Sequence, residues 1–291
     1  MPNVRAVPTL RRRRLGGVLR RYRHEAGLSL NTAASAMGWD DSKLSRIETA
    51  QTRLRPQDVA ELLAQYAVTD TDIVAALEGL ARDAGKQGWW QAYGDVMTAS
   101  YQDYLILETD AESTHIYTPG LIPGLLQTGA YAREIIAATA ITRTSEEVVA
   151  LAEVRKTRQA ILTTRPGGRP LQFWAVIHEA ALHQRFASQP AIMRQQLRHL
   201  LDMADLPNIT IQVMPLTATP HPGMLALFEV VRFPHPWSTV VRLENIRGGH
   251  FVEGIEDVKI FETAFERIVA AALSVDDSRE IIRRISERNG K

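Results

Sequence analysis

Leu28 to Pro56 reads LSLNTAASAMGWDDSKLSRIETAQTRLRP. Ser29 is an N-cap residue type, and Leu30, Ala33, Ala34 and Met37 follow at helical spacing, so a short helix begins there. Its alanines leave little room, which requires a close neighbour. Gly38 and Trp39 make a turn, and Asp40 then caps a further helix whose apolar positions are Leu44 and Ile47. Working backwards, Leu15, Val18, Leu19 and Tyr22 recur at i, i+3, i+4 and i+7. That is one helical stripe, with Arg14, Arg20, Arg21 and Arg23 mostly off it and Gly27 as its stop. Working forwards, Pro56 suits a first helical position, and Val59, Leu62, Leu63 and Tyr66 form the stripe of a fourth helix. A fifth starts from Asp70, with Ile73, Leu77, Leu80 and Ala81 inward. Short helices joined by a tight glycine turn describe a helix-turn-helix, placed here in an all-α domain of five helices over residues 15–85.

Charge points the same way. The chain has 291 residues and a net charge of +1, but residues 1–60 hold 12 Lys or Arg against 5 Asp or Glu (+7), leaving 22 against 28 (−6) for the rest. One end is built to meet polyanions. At 100° per residue, with Leu44 and Ile47 inward, the third helix turns Ser42, Ser45, Arg46 and Thr49 outward. Short hydroxyls and an arginine suit a major groove, where Arg pairs with guanine O6 and N7 and a hydroxyl serves several base edges or phosphates. Lys43, beside that face, suits a phosphate. Asp41, Asn31 and Arg53 complete the expected DNA-binding set. Asp40 and Asp41 favour the positive helix N-terminus but are repelled by phosphates, so they either point aside or accept from a cytosine amine. Residues 1–14 lack an apolar period and carry an arginine block. They are expected to be a flexible basic arm that reaches a minor groove, tracks phosphates, or adds nonspecific affinity as a solvated tail.

The texture changes near Gly85 to Gly88, and residues 88–291 are expected to form a second domain. Leu171–Ile177, Ile209–Met214, Leu225–Phe233 and Thr239–Leu243 are short apolar or alternating runs bounded by Pro, Gly or Asn, which predicts strands. Helical periods occupy Ala191–Ala204, Val258–Leu273 and Ser278–Ser286, so this domain is α+β. Gly167-Gly168 and Gly248-Gly249 read as turns. Trp89 and Trp90 read as core and lid at an interdomain seam, with a ligand cage as the alternative.

Chemistry is sparse. Cysteine is absent, which excludes disulfides, thiolate nucleophiles and Cys-ligated zinc. His178, Glu179 and His183 are the best metal candidate, but the histidines are five apart, about 140° on a helix, where the zinc-protease pattern needs four. There is no Gly-x-Ser-x-Gly, phosphate loop or dinucleotide glycine pattern, so neither an enzyme nor a cofactor is expected. Ser113–Ala132, the longest stretch without Lys, Arg, Asp or Glu, is interrupted by Pro119 and Pro123 and cannot span a bilayer. The basic block at Arg11–Arg14 is followed by too short an apolar run for an export signal, which makes a cytoplasmic location the expectation.

The five-helix order and the string from Leu28 to Pro56, above all DSKLSRIE at Asp41–Glu48, resemble the Xre family of helix-turn-helix regulators. Two positions depart from it: the family usually has Gln at Leu30 and Gly at Ala50. Further on, YTPGLIPGLLQTGAYAREII (Tyr117–Ile136), AVIHEAAL (Ala175–Leu182), LRHLLDMADLPNITIQVMP (Leu197–Pro215) and AALSVDDSREII (Ala271–Ile282) resemble the domain of unknown function that follows many actinobacterial Xre domains. The resemblance implies this architecture and a regulatory role, often alongside a small acidic partner protein. The sequence is read as a regulator that binds a double-stranded operator as a homodimer, its second domain dimerising or sensing a signal such as a small-molecule effector. The alternatives are an antitoxin-like interaction switch that holds the small partner, and a ligand-binding or catalytic second domain.

Overall fold

The computed structural model describes residues 10–85, 88–139, 141–165, 168–186, 189–246 and 248–288. They fall into two compact units. One is built from the chain up to Gln91 and takes in His235–Trp237; the other runs from Ala92 to Pro234 and resumes at Ser238. The division lies a few residues beyond the expected boundary, so Trp89 and Trp90 belong to the first unit.

The first unit is helical: α1 (Leu10–Glu25), α2 (Leu30–Ala36), α3 (Asp41–Glu48), α4 (Pro56–Gln65) and α5 (Thr71–Asp83). Leu15, Val18, Leu19, Leu44, Ile47, Val59, Leu62, Leu63 and Leu77 make its core, each contributing roughly 1.5–3 kcal/mol on burial. The expected arm is shorter than the sequence suggested, because Leu10 is buried and α1 starts there; Arg14, placed in the arm, is buried too. Residues 1–9 lie outside the described residues. Gly16 lets α1 meet the end of α3: a Cβ at that position would lie 2.5 Å from the Glu48 carbonyl oxygen.

The second unit is a six-stranded mixed sheet with helices, as α+β requires. Its strands are β1 (Ser113–Thr118), β2 (Gln172–His178), β3 (Ile209–Met214), β4 (Phe228–Arg232), β5 (Val240–Asn245) and β6 (Gly248–Val252), in the order β3-β2-β1-β4-β5-β6. β1, β2 and β3 pair in parallel, and β4, β5 and β6 continue the sheet antiparallel. Parallel neighbours need long crossovers. These are α7 (Gly129–Thr139) with α8 (Ser145–Arg158), and then α9 (Ala191–Met203). Of the other helices, α6 (Ala99–Asp110) precedes the sheet, and α10 (Ile255–Ala271) and α11 (Val275–Arg288) follow it.

Two strands went unread. β1 reads STHIYT, with polar residues between apolar ones in a segment otherwise marked by Pro-Gly turns. β6 begins at Gly248-Gly249, which had been read as a turn; the pairing Asn245↔Gly248 instead puts both glycines in the strand. The run read as a strand from Leu225 is shortened to Phe228, because a single helical turn at Pro222–Met224 precedes it.

Alternation divides the sheet into two chemistries. One face turns Tyr117, Val176, Phe228, Val230 and Val241 onto Val258, Phe265 and Ile268 of α10. The other carries Ile116, Glu229 and Arg242, which are lateral neighbours across β1, β4 and β5. The Tyr117–Ile136 segment is held by glutamines. Gln127 donates to the Ile122 carbonyl (2.7 Å), Gln159 to those of Gly124 (3.1 Å) and Gln127 (2.6 Å), and Gln196 to that of Leu126 (2.7 Å). An irregular buried segment has no ladder to satisfy its carbonyls, and these side chains replace one. Thr128 caps α7 as its sequence implied, its hydroxyl accepting from Tyr131 N (3.3 Å).

Candidate nucleic-acid interface

α2 and α3 are set by caps at both ends. Ser29 Oγ accepts from Thr32 N (3.0 Å) and Asp40 Oδ1 from Lys43 N (2.7 Å). Between them, Gly38 takes a φ of 64°, with Gly38 N donating to Ser35 O (3.0 Å) and Trp39 N to Ala34 O (2.9 Å). This double closure ends α2 and turns the chain into α3. The same closure ends α3, with Gln51 N donating to Arg46 O (2.7 Å) and Ala50 N to Ile47 O (2.9 Å). There the left-handed position is occupied by Ala50, at a φ of 62°. The missing glycine therefore leaves the end of the helix where the family pattern puts it, at a cost of about 1–2 kcal/mol in backbone strain.

The orientation of α3 rests on a buried ion pair. Arg23 of α1 donates through Nε (2.7 Å) and Nη2 (2.9 Å) to the two Glu48 carboxylate oxygens, and its Nη1 donates to the Leu28 carbonyl (2.8 Å). The two side chains are 7% and 4% exposed. Burial works against the Arg23 charge, but the bonds to Glu48 outweigh it and raise the guanidinium pKa further. Sequence reading had placed Arg23 off the apolar stripe and assigned Glu48 no task.

Of the expected contact residues, Asp41, Ser42, Ser45, Arg46 and Thr49 line one shallow depression, together with Leu30 and Gln51. Ser42, Arg46 and Thr49 are exposed, and Ser45 is half-buried. Thr49 spends its proton locally, donating to the Ser45 carbonyl (2.7 Å), and so offers acceptor lone pairs outward. Leu30 and Gln51 join the surface through the fold: Leu30 supplies an apolar patch of the kind that meets a thymine methyl, and Gln51 an amide.

The two aspartates are turned to internal partners. Asp40 caps α3, and Asp41 accepts from Asn31 Nδ2 at 3.1 and 3.2 Å. Asp40 is thereby turned aside, whereas Asp41, though held by Asn31, still lines the depression. Asn31 is correspondingly a partner of Asp41. Lys43 is folded back, its ammonium 3.7 Å from the centroid of the Trp39 ring. Arg53 stands apart from the depression, its guanidinium about 3 Å from where a Gly85 Cβ would be and close enough to Arg12 to lower that residue's pKa, after burial.

The residues set aside for a ligand or metal are dispersed. Trp89 is 41% exposed and Trp90 is buried, the rings meeting edge to face at 5.8 Å. His178 Nδ1 accepts from Ala180 N (3.2 Å), and Glu179 accepts from Leu216 N (3.0 Å) while lying 3.4 Å from His183 Nε2. His178 and Glu179 are thus each tied to a backbone N–H. Among the described residues, no three His, Cys, Asp or Glu side chains converge on a common point. No described helix is long and apolar enough to cross a membrane.

A helix-turn-helix domain family matches residues 14–76, and a domain of unknown function, DUF5753, matches residues 101–284. Comparison with curated proteins and with solved structures gives no match. With a helix-turn-helix domain in front and more than half of its length matched behind, the chain belongs to the DUF5753 family.

Proposed function

We propose that the chain is a sequence-specific transcriptional regulator that binds a double-stranded operator through α3. The observation that carries this is the outward face of α3: Ser42, Arg46 and Thr49 are exposed together, while the two neighbouring acids are held by Lys43 N and Asn31. Arg46 makes no ion pair among the described residues, so its five donors are open to a guanine edge or a phosphate. Ser42, Ser45 and Gln51 supply further groups for base edges, and Lys43, once released from Trp39, supplies a phosphate contact. A helix of this kind reads about one half-site, so the operator is taken by a homodimer with half-sites about 34–36 Å apart.

In this reading the second unit dimerises or senses a signal and performs no catalysis, its His178 and Glu179 being backbone caps. A small acidic protein is a weaker candidate partner for that unit, because residues 92–291 hold 20 Lys or Arg against 23 Asp or Glu and so are themselves net negative.

The test is an anisotropy titration on a site obtained by selection from random duplexes. Arg46→Ala should weaken binding to the selected site by about 1–3 kcal/mol and relax the base preference at one position. Unchanged affinity would remove Arg46 from the readout, and no duplex binding at low salt would remove the function.

A further inference from the structure

The sheet face opposite α10 roofs a cavity of about 610 Å3 that nothing in the proposed function uses. Its walls come from β1, α6, α7, α8, β5 and the Tyr117–Ile136 segment, all within the second unit. Ile116, Leu121, Ile122, Ile135 and Leu227 make it apolar on one side, and Ile141 and Ile246 stand at its edge 80% and 91% exposed. Its other side carries three arginines, Arg155 and Arg158 from α8 and Arg242 from β5. A cavity of this size, apolar with a few convergent polar groups, has the character of a small-molecule site.

The arginines are unequal. Arg158 lies 3.2 Å from Glu108, and Arg242 pairs with Glu244 at 2.8 Å and Glu229 at 3.7 Å. Tyr104 is packed under both guanidiniums, 5.0 Å from that of Arg158 and 4.0 Å from that of Arg242, with its hydroxyl donating to Glu108 (2.8 Å). Arg155 has no carboxylate within ion-pairing distance among the described residues. It donates to the neutral Gln127 Oε1 (2.7 Å) and contacts Tyr101, and its buried Nε has no acceptor. Burial and the neighbouring Arg158 charge lower its pKa against the opposing pull of Tyr101 and of Glu244, which also lines the cavity and is paired to Arg242. A second depression of about 190 Å3 shares Arg155, Arg242 and Tyr101, which puts Arg155 at the junction of the two.

We propose that this cavity binds a small organic anion with an apolar body, its acidic group taken by Arg155 and its body lying on the isoleucines and leucines. Arginine suits the acid because its planar fork pairs with carboxylate, sulfonate and phosphate alike. The site deepens the signal-sensing part of the proposed function. It rests on the second unit alone, and its test uses no DNA, so its failure and that of operator binding are separate.

The probes are 8-anilinonaphthalene-1-sulfonate, an anion on an aromatic body, and N-phenyl-1-naphthylamine, the same body without charge, titrated by fluorescence into the full-length chain. The anionic probe should bind saturably and be displaced by decanoate. Arg155→Gln should weaken it about tenfold or more, the scale of one charge-assisted pair, while the neutral probe changes less than about twofold. Arg155→Lys, which keeps the charge, should retain most of the affinity. Ala138→Trp, on an exposed position of α7 that lines the cavity, should weaken both probes without touching a buried group. The proposal is overturned if the wild-type chain fails to bind the anionic probe, if Arg155→Gln affects the two probes equally, or if Ala138→Trp leaves both unchanged. Should Arg155→Gln not fold, Ala138→Trp decides by the criterion above, and an Arg155→Lys variant that loses the anionic probe tenfold or more while the neutral probe is lost equally would overturn the proposal as well.

Discussion

Truncating Glu48 to alanine removes the anchor that holds α3 to α1. In the native chain, Arg23 places three N–H groups on acceptors at 2.7–2.9 Å, two of them on Glu48. The guanidinium side chain is only 7% exposed, so water cannot replace what the alanine removes. Two charge-assisted bonds at roughly 1.5–3 kcal/mol each set the scale, and removing one member of a buried pair costs about 3–5 kcal/mol, since the surviving charge is left without a partner. A typical domain has a total stability of about 5–15 kcal/mol, so a loss of about 3–5 kcal/mol in Glu48→Ala should remove roughly a fifth of it or more. Replacing both members, as Arg23→Met with Glu48→Leu, should restore most of that loss, because no buried charge survives. The assay is amide hydrogen exchange of the α3 backbone in the full-length chain, which reads this unit without interference from the other. Glu48→Ala should accelerate exchange at Leu44 and Ile47 by two orders of magnitude or more (about 1.4 kcal/mol per tenfold), and the double variant should recover most of it. A loss below about 1 kcal/mol in the single variant, or a double variant no better than the single, would refute the reasoning that the pair fixes α3.

Two alanines in left-handed backbone give a contrast within one unit. Ala67, exposed at a φ of 58°, should gain about 0.5–1 kcal/mol on replacement by glycine, since the strain relieved exceeds the entropy gained by the unfolded chain. Ala50, at 62° but 1% exposed, also loses a buried methyl worth about 0.8 kcal/mol, so Ala50→Gly should be nearly neutral by urea unfolding; equal effects at the two sites would show burial to be irrelevant there. Glu229 supplies a pH dependence. Burial raises its carboxyl to about 7, against the opposing pull of Arg242, with Glu108 raising it further and Arg158 and Tyr104 lowering it. Its folded pKa lies above its unfolded value, so the folded state binds the extra proton and the second unit should lose stability as pH rises from about 4.5 to 7. Glu229→Gln should flatten that slope in thermal unfolding scans and raise the midpoint at pH 8; a slope unchanged by the substitution would exclude Glu229 as its source.

The amino-acid order by itself determined the helical unit. Caps, apolar stripes and turn residues act over four or five positions, and α2, α3 and α4 start at Leu30, Asp41 and Pro56 as Ser29, Asp40 and Pro56 imply. It also determined which side chains α3 turns outward, because helical periodicity fixes that once Leu44 and Ile47 are inside. Only the tertiary structure decided what those side chains meet. Asp41 reaches Asn31 ten positions away and Arg23 reaches Glu48 across 25, and neither spacing has a signature. In the second unit the limit is sharper. Glu229 and Arg242 sit inside apolar strands whose composition signals core, and the cavity that Arg242 lines draws on residues from Tyr101 to Gly248. A periodic pattern reports which face of an element is buried, but which faces oppose one another is set by strand order and crossovers. Such contacts reach as far as Tyr104 to Glu229, 125 positions apart, where local residue chemistry carries no record of the partner.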